Sequence, residues 1–363
     1  MEMLDLMQFQ DIYRGKRVLV TGTTGFKGSW LTLWLQELGA HVIGISLAPN
    51  SKPNHWGLLK PTIDNLTADI RQLGVLNSLV QSVKPEIVFH LAAQPLVRQS
   101  YADPIETWST NVLGTANVLE SCRCSPSVRA VVVVTTDKCY QNIDSVVGYR
   151  ETDRLGGYDP YSASKAASEL LVDSYRRSFF SGSDSALIAS ARAGNVIGGG
   201  DWSADRLIPD VVRAVQAVQS LEVRSPNAIR PWQHVLESLS GYLLLGQKLL
   251  EGNDQMADAW NFGPAPTDTL SVAEVLTMLQ NNLRGLNWHI SCAIHPHEAQ
   301  MLVLDSSKAR EELGWTPTWD LKQAISKTAL WYDAWLASGE VLSQSQLNEY
   351  VTSAKVTGKS WVA

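Results

Sequence analysis

Short apolar runs and helical stripes take turns along the first half of the chain. Arg17 to Thr21 (RVLVT) is a short apolar run and predicts a strand. From Gly28 to Leu38, Leu31, Leu35 and Leu38 recur at helical spacing. His41 to Ser46 (HVIGIS) predicts a second strand, Gln72 to Val83 a helix, and Glu86 to Leu91 (EIVFHL) another strand. Pro104 to Cys122 predicts one long helix with proline in its first turn, where its missing N–H is not needed. Arg129 to Thr135 (RAVVVVT) lacks polar alternation, as a strand covered on both faces does. Ser162 to Phe179 then predicts a helix and Ala186 to Ala191 a strand. This rhythm implies right-handed β–α–β units. The expected class is α/β, a Rossmann-type doubly wound parallel sheet with helices on both faces. After about Asn195 the rhythm breaks. Gly198-Gly199-Gly200 and Pro209, Pro226, Pro231, Pro264 and Pro266 punctuate shorter elements. Residues 1–194 are expected to form the first domain. Residues 195–363 form a smaller C-terminal α/β region, with segments returning to the first.

Composition narrows the class. At roughly 150 residues per domain, 363 residues suit two domains or one large one. An apolar share of 45% supports a full core, and 18% charged residues argue against disorder. The net charge is −6 and no Lys/Arg run stands out, so no nucleic-acid or anionic-membrane partner is expected. Met1 to Arg17 has no apolar signal-like segment, and no apolar run nears the ~20 residues that cross a bilayer. Four cysteines make no disulfide framework. Cys122 and Cys124 do not face each other on a helix, and reduced thiols in a cytoplasmic protein are expected. The 13 tryptophans, Trp202 and Trp232 included, are taken as core.

Two stretches carry candidate chemistry. Thr21-Gly22-Thr23-Thr24-Gly25-Phe26-Lys27-Gly28 links the first strand to the first helix. Glycines there permit a tight turn and close backbone approach to a pyrophosphate, with the helix N-terminus behind. A carboxylate about 20 residues on should grip the adenosine ribose. The second strand instead ends Gly44-Ile45-Ser46-Leu47, which leaves NAD against NADP open. No Arg near Ser46 would seat a 2′-phosphate, which leans toward NAD. Asp69-Ile70 is a candidate adenine-edge contact or a plain loop acid. Further along, Tyr161 and Lys165 are i and i+4, on one helical face. A phenol is a poor base near neutral pH, and a neighbouring cation favours its ionised form. Thr135-Thr136-Asp137-Lys138 ends the valine-rich strand, at the sheet edge where active sites form.

Several blocks then resemble the extended short-chain dehydrogenase/reductase superfamily. They are the glycine pattern, His90-Leu91-Ala92-Ala93, Asn111-Val112-Leu113-Gly114-Thr115 and Tyr161 to Lys165. Thr136-Asp137-Lys138 resembles the nucleotide-sugar 4,6-dehydratases, most of which carry Thr-Asp-Glu there. The Lys is similar to the CDP-glucose 4,6-dehydratase branch, as are Arg192 to Trp202, Asp205 to Pro209, Ile229 to Glu237, Trp260 to Pro264 and His295 to Ala299. Thr23 stands where that branch is expected to carry His.

The resemblance implies an NAD-dependent lyase. Hydride passes from C4 of the glucose in CDP-D-glucose to NAD, water leaves across C5 and C6, and the hydride returns to C6. The product is CDP-4-dehydro-6-deoxy-D-glucose. It implies Tyr161 as the C4-OH base, Lys165 as its supporting cation and Thr136 bonding the C4 oxygen. Asp137 protonates the departing hydroxyl. Lys138 either removes the C5 proton, which a lysine does only when neutral, or orients Asp137. Cofactor contacts are expected from Gly22, Thr24, Gly25, Phe26, Lys27, Gly28, Asp69, Ile70, Leu91, Ala92, Ala93, Asn111, Thr135, Tyr161 and Lys165. Substrate contacts are expected from Gln94, Asn195, Arg206, Leu207, Arg230, Gln233, His234 and Asn261. Residues 1–194 would bind NAD and 195–363 mainly the nucleotide sugar. No metal is expected, and His295, His297 and Glu298 lack further ligand spacing. A homodimer is implied through Pro104 to Cys122 and Ser162 to Phe179, with Trp108, Val112, Leu119 and Tyr175 at its seam, and a tetramer is an extension of it. The family feeds dideoxyhexose synthesis for cell-surface polysaccharide. Competing readings are another nucleotide-sugar 4,6-dehydratase, a 4-epimerase or decarboxylase, and a non-catalytic dinucleotide sensor. Asp137 beside Lys138 counts against the epimerase, and Tyr161 with Lys165 against the sensor.

Overall fold

The computed structural model describes residues 6–182, 184–265, 268–291 and 300–363. Pro266, Cys292 and the block at 295–299, with His295, His297 and Glu298, lie outside them. The strands in chain order are β1 (Arg17–Thr21), β2 (His41–Ser46), β3 (Asp64–Thr67), β4 (Ile87–His90), β5 (Ala130–Val134) and β6 (Leu187–Ala193). They continue with β7 (Asn195–Ile197), β8 (Leu221–Val223), β9 (Ile229–His234), β10 (Ala259–Phe262), β11 (Thr269–Ser271) and β12 (Trp288–Ile290). Seven form one parallel sheet in the order β10-β6-β5-β4-β1-β2-β3. The order reverses between β1 and β4, which opens the switch-point crevice where such sheets bind ligands. β11-β9-β7 and β12-β8 make two small sheets in the C-terminal half.

Burial explains the pattern. All five residues of β5 are buried, because helices cover both faces of the sheet. Helix Phe26–Glu37 sets Trp30 and Trp34 into one layer, joined by helix Val235–Leu250 from far along the chain. Helices Leu73–Val83, Gly114–Arg123 and Pro160–Phe179 cover the other face. Each fully buried large apolar side chain contributes roughly 1.5–3 kcal/mol. A second cluster, built on Trp202, Trp232 and Trp331, organises the C-terminal half. The sheet is completed from that half, since β10 pairs with β6.

One expected helix is in fact three pieces. Pro104–Trp108 is α-helical, Ser109–Leu113 is a π-turn, and Gly114–Arg123 resumes the α-helix. The wider turn turns Asn111 inward, where Nδ2 donates to Ser164 Oγ at 2.9 Å and to Gln94 O at 3.1 Å. Such bulges recur at functional sites.

Among the described residues three histidines are buried and held neutral. His55 lies between the hydroxyls of Ser29 (2.8 Å) and Ser343 (2.7 Å), and His90 between those of Thr21 (2.7 Å) and Thr115 (3.0 Å). Burial lowers His55, His90 and His234 each to about 3. Burial raises Glu237, which accepts from Thr318 N, Trp319 N and the Tyr350 hydroxyl, to about 7. The signs differ. Below the histidines' ordinary 6.5 the unfolded chain binds three protons that the fold refuses, while the fold alone protonates Glu237 above its ordinary 4.5. The histidine contribution is thus full above 6.5 and is lost as pH falls toward 3. Net, stability should fall with pH between 6.5 and 4.5 by up to about 3 kcal/mol per pH unit. Urea midpoints at pH 7.5 and 5.5 check this, and equal midpoints contradict it.

Candidate active site

The glycine turn is built for close approach. Gly22 has φ +78, and a Cβ there would sit 2.8 Å from Ala92 N. A Cβ on Gly28 would meet Gly22 O at 2.0 Å. Gly25 caps helix Phe26–Glu37 without a side-chain acceptor, so its first N–H groups stay available to a phosphate. The backbone is thus shaped for the pyrophosphate of a dinucleotide. Gly28→Ala should open this turn and weaken NAD binding tenfold or more, about 1.4 kcal/mol, measured by calorimetric titration. Unchanged affinity contradicts the assignment.

The turn opens into a cavity of about 1370 Å³ along the C-terminal edge of the sheet. Gly22, Thr24, Gly25, Phe26, Lys27 and Gly28 line it, with Asp69, Ile70, Leu91, Ala92, Ala93, Thr135, Tyr161 and Lys165. Asn111 does not. Its amide is engaged with Gln94 and Ser164 in the wall behind the cavity. Thr23 is buried behind the turn, bonded to Ser46 Oγ and Asn65 Oδ1. At the expected adenosine end, Asp69 pairs with Arg71 at 2.6 Å, and that hydrogen bond holds the Asp69 carboxyl below its ordinary range. Asn50 and Ser51 line the wall beyond Ser46, polar groups that no motif had marked.

At the centre, Asp159 caps helix Pro160–Phe179, accepting from Ser162 N at 2.9 Å. That start fixes Tyr161 and Lys165 on the cavity side. Burial pushes Tyr161 up to about 12, against a hydrogen bond from Thr136 that lowers it. Burial lowers Lys165 to about 8, while the Glu169 charge one turn on supports its cation. Lys165 Nζ donates to Val134 O at 3.3 Å. Glu169 accepts from Thr135 and Ser190 and pairs with Arg192 at 2.7 Å. Burial alone would raise Glu169, but the Arg192 charge together with the hydrogen bonds from Arg192, Thr135 and Ser190 holds it below its ordinary range.

Thr136 stands in extended backbone and caps the short turn Asp137–Cys139. Its hydroxyl donates to Asp137 Oδ1 at 3.0 Å. Lys138 Nζ reaches that oxygen at 3.4 Å and Asn195 Oδ1 at 3.3 Å. The Asp137 side chain is fully buried, and its Oδ2 has no hydrogen-bond partner among the described residues. Behind it Lys27 Nζ contacts the Tyr242 hydroxyl at 3.2 Å, and burial, then the Arg206 charge, lowers Lys27 to about 7. This gathers a base, its cation, a hydroxyl, a carboxyl and a second amine, the set needed for proton removal beside an oxidised carbon.

The expected substrate residues divide. Gln94, Asn195, Arg206, Leu207 and Arg230 line the cavity. Gln233, His234 and Asn261 do not line it. On β9, Arg230 and Trp232 reach the cavity while Gln233 alternates away and donates to Phe262 O at 2.8 Å. His234 caps helix Val235–Leu250 and stacks edge-on against Trp319. Asn261 is tied to the Tyr140 hydroxyl at 2.7 Å and to Tyr149 O at 2.8 Å. Four lining arginines were missed, Arg71, Arg98, Arg154 and Arg224, and of these Arg98 and Arg224 flank Asp205 at 3.3 and 3.6 Å. Nothing in the sequence pattern distinguishes them from surface arginines. With Arg206 and Arg230, Arg98 and Arg224 make a basic wall suited to phosphate.

Comparison with known proteins agrees with this geometry. The family model described as GDP-mannose 4,6 dehydratase matches residues 19–328. A CDP-glucose 4,6-dehydratase of Salmonella typhimurium is 45% identical over 354 residues, 95% of this chain and 98% of that one. The solved dTDP-glucose 4,6-dehydratase of Streptomyces venezuelae, with NAD bound, superposes with TM-score 0.76 at 25% identity, over 87% of this chain and 97% of that chain. An epimerase of Methanothermobacter thermautotrophicus shares the fold at TM-score 0.79 and 24% identity, over 93% and 97%. The fold alone is therefore common to dehydratases and epimerases, but the family match spans the glycine turn, the Thr-Asp-Lys corner and the Tyr–Lys helix together, and the chain belongs to the GDP-mannose 4,6 dehydratase family.

Proposed function

We infer that this chain is an NAD-dependent hydro-lyase that converts CDP-D-glucose to CDP-4-dehydro-6-deoxy-D-glucose and water. One observation carries the reading. Asp137 and Lys138 adjoin Thr136, Tyr161 and Lys165 in a chain 45% identical along its length to a CDP-glucose 4,6-dehydratase. A 4-epimerase needs the Tyr, Lys and Thr set but no acid for a departing hydroxyl.

The glycine turn and the Asn50–Ser51 wall would hold NAD, with no carboxylate reserved for the ribose. Arg71 is committed to Asp69, so it does not call for a 2′-phosphate. Bound NAD supplies an acceptor for the hydrogen that leaves C4 with its electron pair, and gives it back at C6. The residues do the rest. Tyr161 takes the C4 hydroxyl proton, and Lys165 favours its ionised form. Thr136 holds the C4 oxygen. The C4 ketone makes the C5 proton acidic, so oxidation precedes elimination. Lys138 is assigned to that proton, and Asp137 protonates the C6 oxygen as it departs. Arg98, Arg206, Arg224 and Arg230 are the candidates for the diphosphate. Residues 1–194 are assigned to cofactor and catalysis and 195–363 mainly to the nucleotide sugar. Incubation with NAD and CDP-, UDP- or dTDP-glucose, read as the alkaline absorbance of a 4-keto-6-deoxy sugar, tests both reaction and base. Product from CDP-glucose is expected. Product only from another nucleotide sugar overturns the cytidine assignment, and product from none overturns the reaction.

A homodimer is part of this reading. Trp108, Leu113, Leu170 and Phe179 are exposed on the helices that leave the sheet, with Ile105 76% exposed. An isologous pairing of these helices would cover them. Leu119, first placed at that seam, is instead fully buried against the sheet, while Val112 and Tyr175 are half-buried. Light scattering should give a dimer mass, or a tetramer as its doubling, and Leu113→Asp with Leu170→Asp should halve it. A monomer in the native protein contradicts the seam. Among the described residues no helix is long and apolar enough to cross a membrane. A cytoplasmic site and a role in cell-surface dideoxyhexose synthesis follow from the substrate assigned.

A further inference from the structure

The loop at 198–206 joins β7 to helix Leu207–Gln216, and its base is pinned. The Tyr332 hydroxyl donates to Asp201 O at 2.6 Å, and Asp201 Oδ1 accepts from Ser203 N at 2.9 Å. Arg213 donates to Trp202 O and Ser203 O at 3.2 and 3.0 Å. The tip, Ala204 and Asp205, is exposed. Asp205 has φ +56, a left-handed backbone that aspartate and asparagine tolerate better than most residues. Its carboxylate meets two guanidiniums through one oxygen. Oδ1 lies 3.3 Å from Arg98 Nη1 and 3.6 Å from Arg224 Nη1. Arg98 stands on helix Val97–Ala102, in the half that carries the glycine turn, and Arg224 follows β8 in the C-terminal half. Three parts of the chain, remote in sequence, thus meet on one carboxylate, and all three residues line the cavity.

We propose that Asp205 is a stand-in for the substrate's diphosphate, displaced from Arg98 and Arg224 when the nucleotide sugar binds and returning to them as product leaves. The proposal rests on the nucleotide-sugar reading of the cavity and gives Asp205 a part in specificity and release. A carboxylate and a phosphate offer a guanidinium the same kind of anionic oxygen. Two guanidiniums drawn to one oxygen repel each other unless an anion lies between them. Asp205 supplies that anion with a single charge. A nucleotide sugar's diphosphate brings two charges and four non-bridging oxygens, so it serves both arginines better. Once a phosphate lies there, the neighbouring carboxylate is a like charge and is driven off.

The neighbouring pair shows what a fixed partner looks like. Arg206 Nη1 meets Asp201 Oδ2 at 3.1 Å, and Asp201 is buried and tied through its backbone to Tyr332. Asp205 instead sits at an exposed tip, so its carboxylate can swing away without opening a core. The ion pairs given up are partly exposed and individually weak, so the exchange lowers nucleotide affinity only modestly. What it supplies is release. The product keeps the whole nucleoside diphosphate, so each turnover must undo the same arginine contacts that seated the substrate. A carboxylate waiting beside those arginines competes for them as the diphosphate loosens. A ligand without a diphosphate leaves the ion pairs as they are.

The test is Asp205→Asn, which keeps the side chain's size and its tolerance of this backbone and removes the charge. In calorimetric titration of the NAD-bound protein, the variant should bind CDP roughly three- to tenfold more tightly than the native protein, the scale of two partly exposed ion pairs. Departure of CDP, followed by tryptophan fluorescence in stopped flow, should slow by a similar factor. Inhibition by cytidine, which has no phosphate, should not change. With CDP-glucose, KM should fall and kcat should not rise. If Asp205 instead holds the two arginines in place for the substrate, the variant binds CDP more weakly, and that result overturns the exchange. Unchanged CDP affinity overturns it as well. A cycle with Arg98→Met gives a second readout. In the Asp205→Asn background, Arg98→Met should cost more CDP affinity than it costs the native protein, because the arginine is no longer shared. Equal losses mean that carboxylate and diphosphate do not compete for Arg98, against the proposal. A native protein that binds none of CDP, UDP and dTDP fails the nucleotide-sugar reading itself, and the exchange with it.

Discussion

Tyr161→Phe should lose C4 oxidation, with turnover down about 10²–10⁴-fold, the usual cost of removing a general base. The phenol is the group held one helical turn from Lys165, on the cavity wall that Thr136 also lines. Burial keeps it protonated well above neutral pH in the bare protein, so its ionised form depends on the positive charge gathered around it. Phenylalanine keeps the ring and its packing but cannot accept a proton. Cofactor binding should survive, because the glycine turn lies on another loop. Turnover with CDP-glucose, set beside NAD affinity from titration, separates lost chemistry from lost binding. Normal turnover in this variant would remove the catalytic assignment.

Lys138→Ala should divide the reaction at its middle. With Tyr161, Lys165 and Thr136 intact, oxidation at C4 should proceed. Without an amine beside Asp137 Oδ1, elimination should stop. A 4-keto nucleotide sugar that still carries its C6 hydroxyl should then accumulate on the enzyme. NMR of the quenched sugar, formed in deuterated solvent, should show little deuterium at C5. The competing role predicts otherwise. If Lys138 only orients Asp137 and Asn195, C5 exchange stays near the native rate and some deoxy product forms. Rapid exchange in the alanine variant refutes the base assignment and leaves the dehydratase reading standing.

Legibility in the sequence followed burial. RVLVT and HVIGIS match β1 and β2 end to end, because continuous apolar runs under helices have little choice of state. β3 was not foreseen. Asp64–Thr67 is mostly polar, and its strand geometry comes from its register with Ile43 to Ser46. β10 was missed because it joins the sheet from far away, with Trp260 and Phe262 entering a core begun by Val18 and Val20. The π-turn was hidden because Ser109 to Leu113 has ordinary helical residues, and the widening answers to what Asn111 meets across the wall. In the site, residues tied by local spacing were readable: the glycines through strand–turn–helix order, and Tyr161 with Lys165 through one helical turn. Residues brought by tertiary approach were not. Arg98 and Arg224 come together at Asp205 from distant parts of the chain, and Gln233 and Asn261 sit in polar blocks at strand ends that read alike whether they face a ligand or an interior carbonyl.

The two ends of the described chain interlock. Phe9 N donates to Trp361 O at 2.6 Å, and the rings of Phe9 and Trp361 stack at 5.1 Å, with Trp34 and Tyr350 against them. For a protein made from one end to the other, this arrangement sets a schedule. The sheet's edge strand at 259–262 and the aromatic lock at 361 emerge long after β1, so the nascent amino-terminal half carries an unfinished core as it leaves the ribosome. Such half-built sheets expose strand edges and apolar faces, the surfaces that chaperones shield. Final closure should therefore wait until residue 361 has emerged, as a late, slow step set by contacts very distant in sequence.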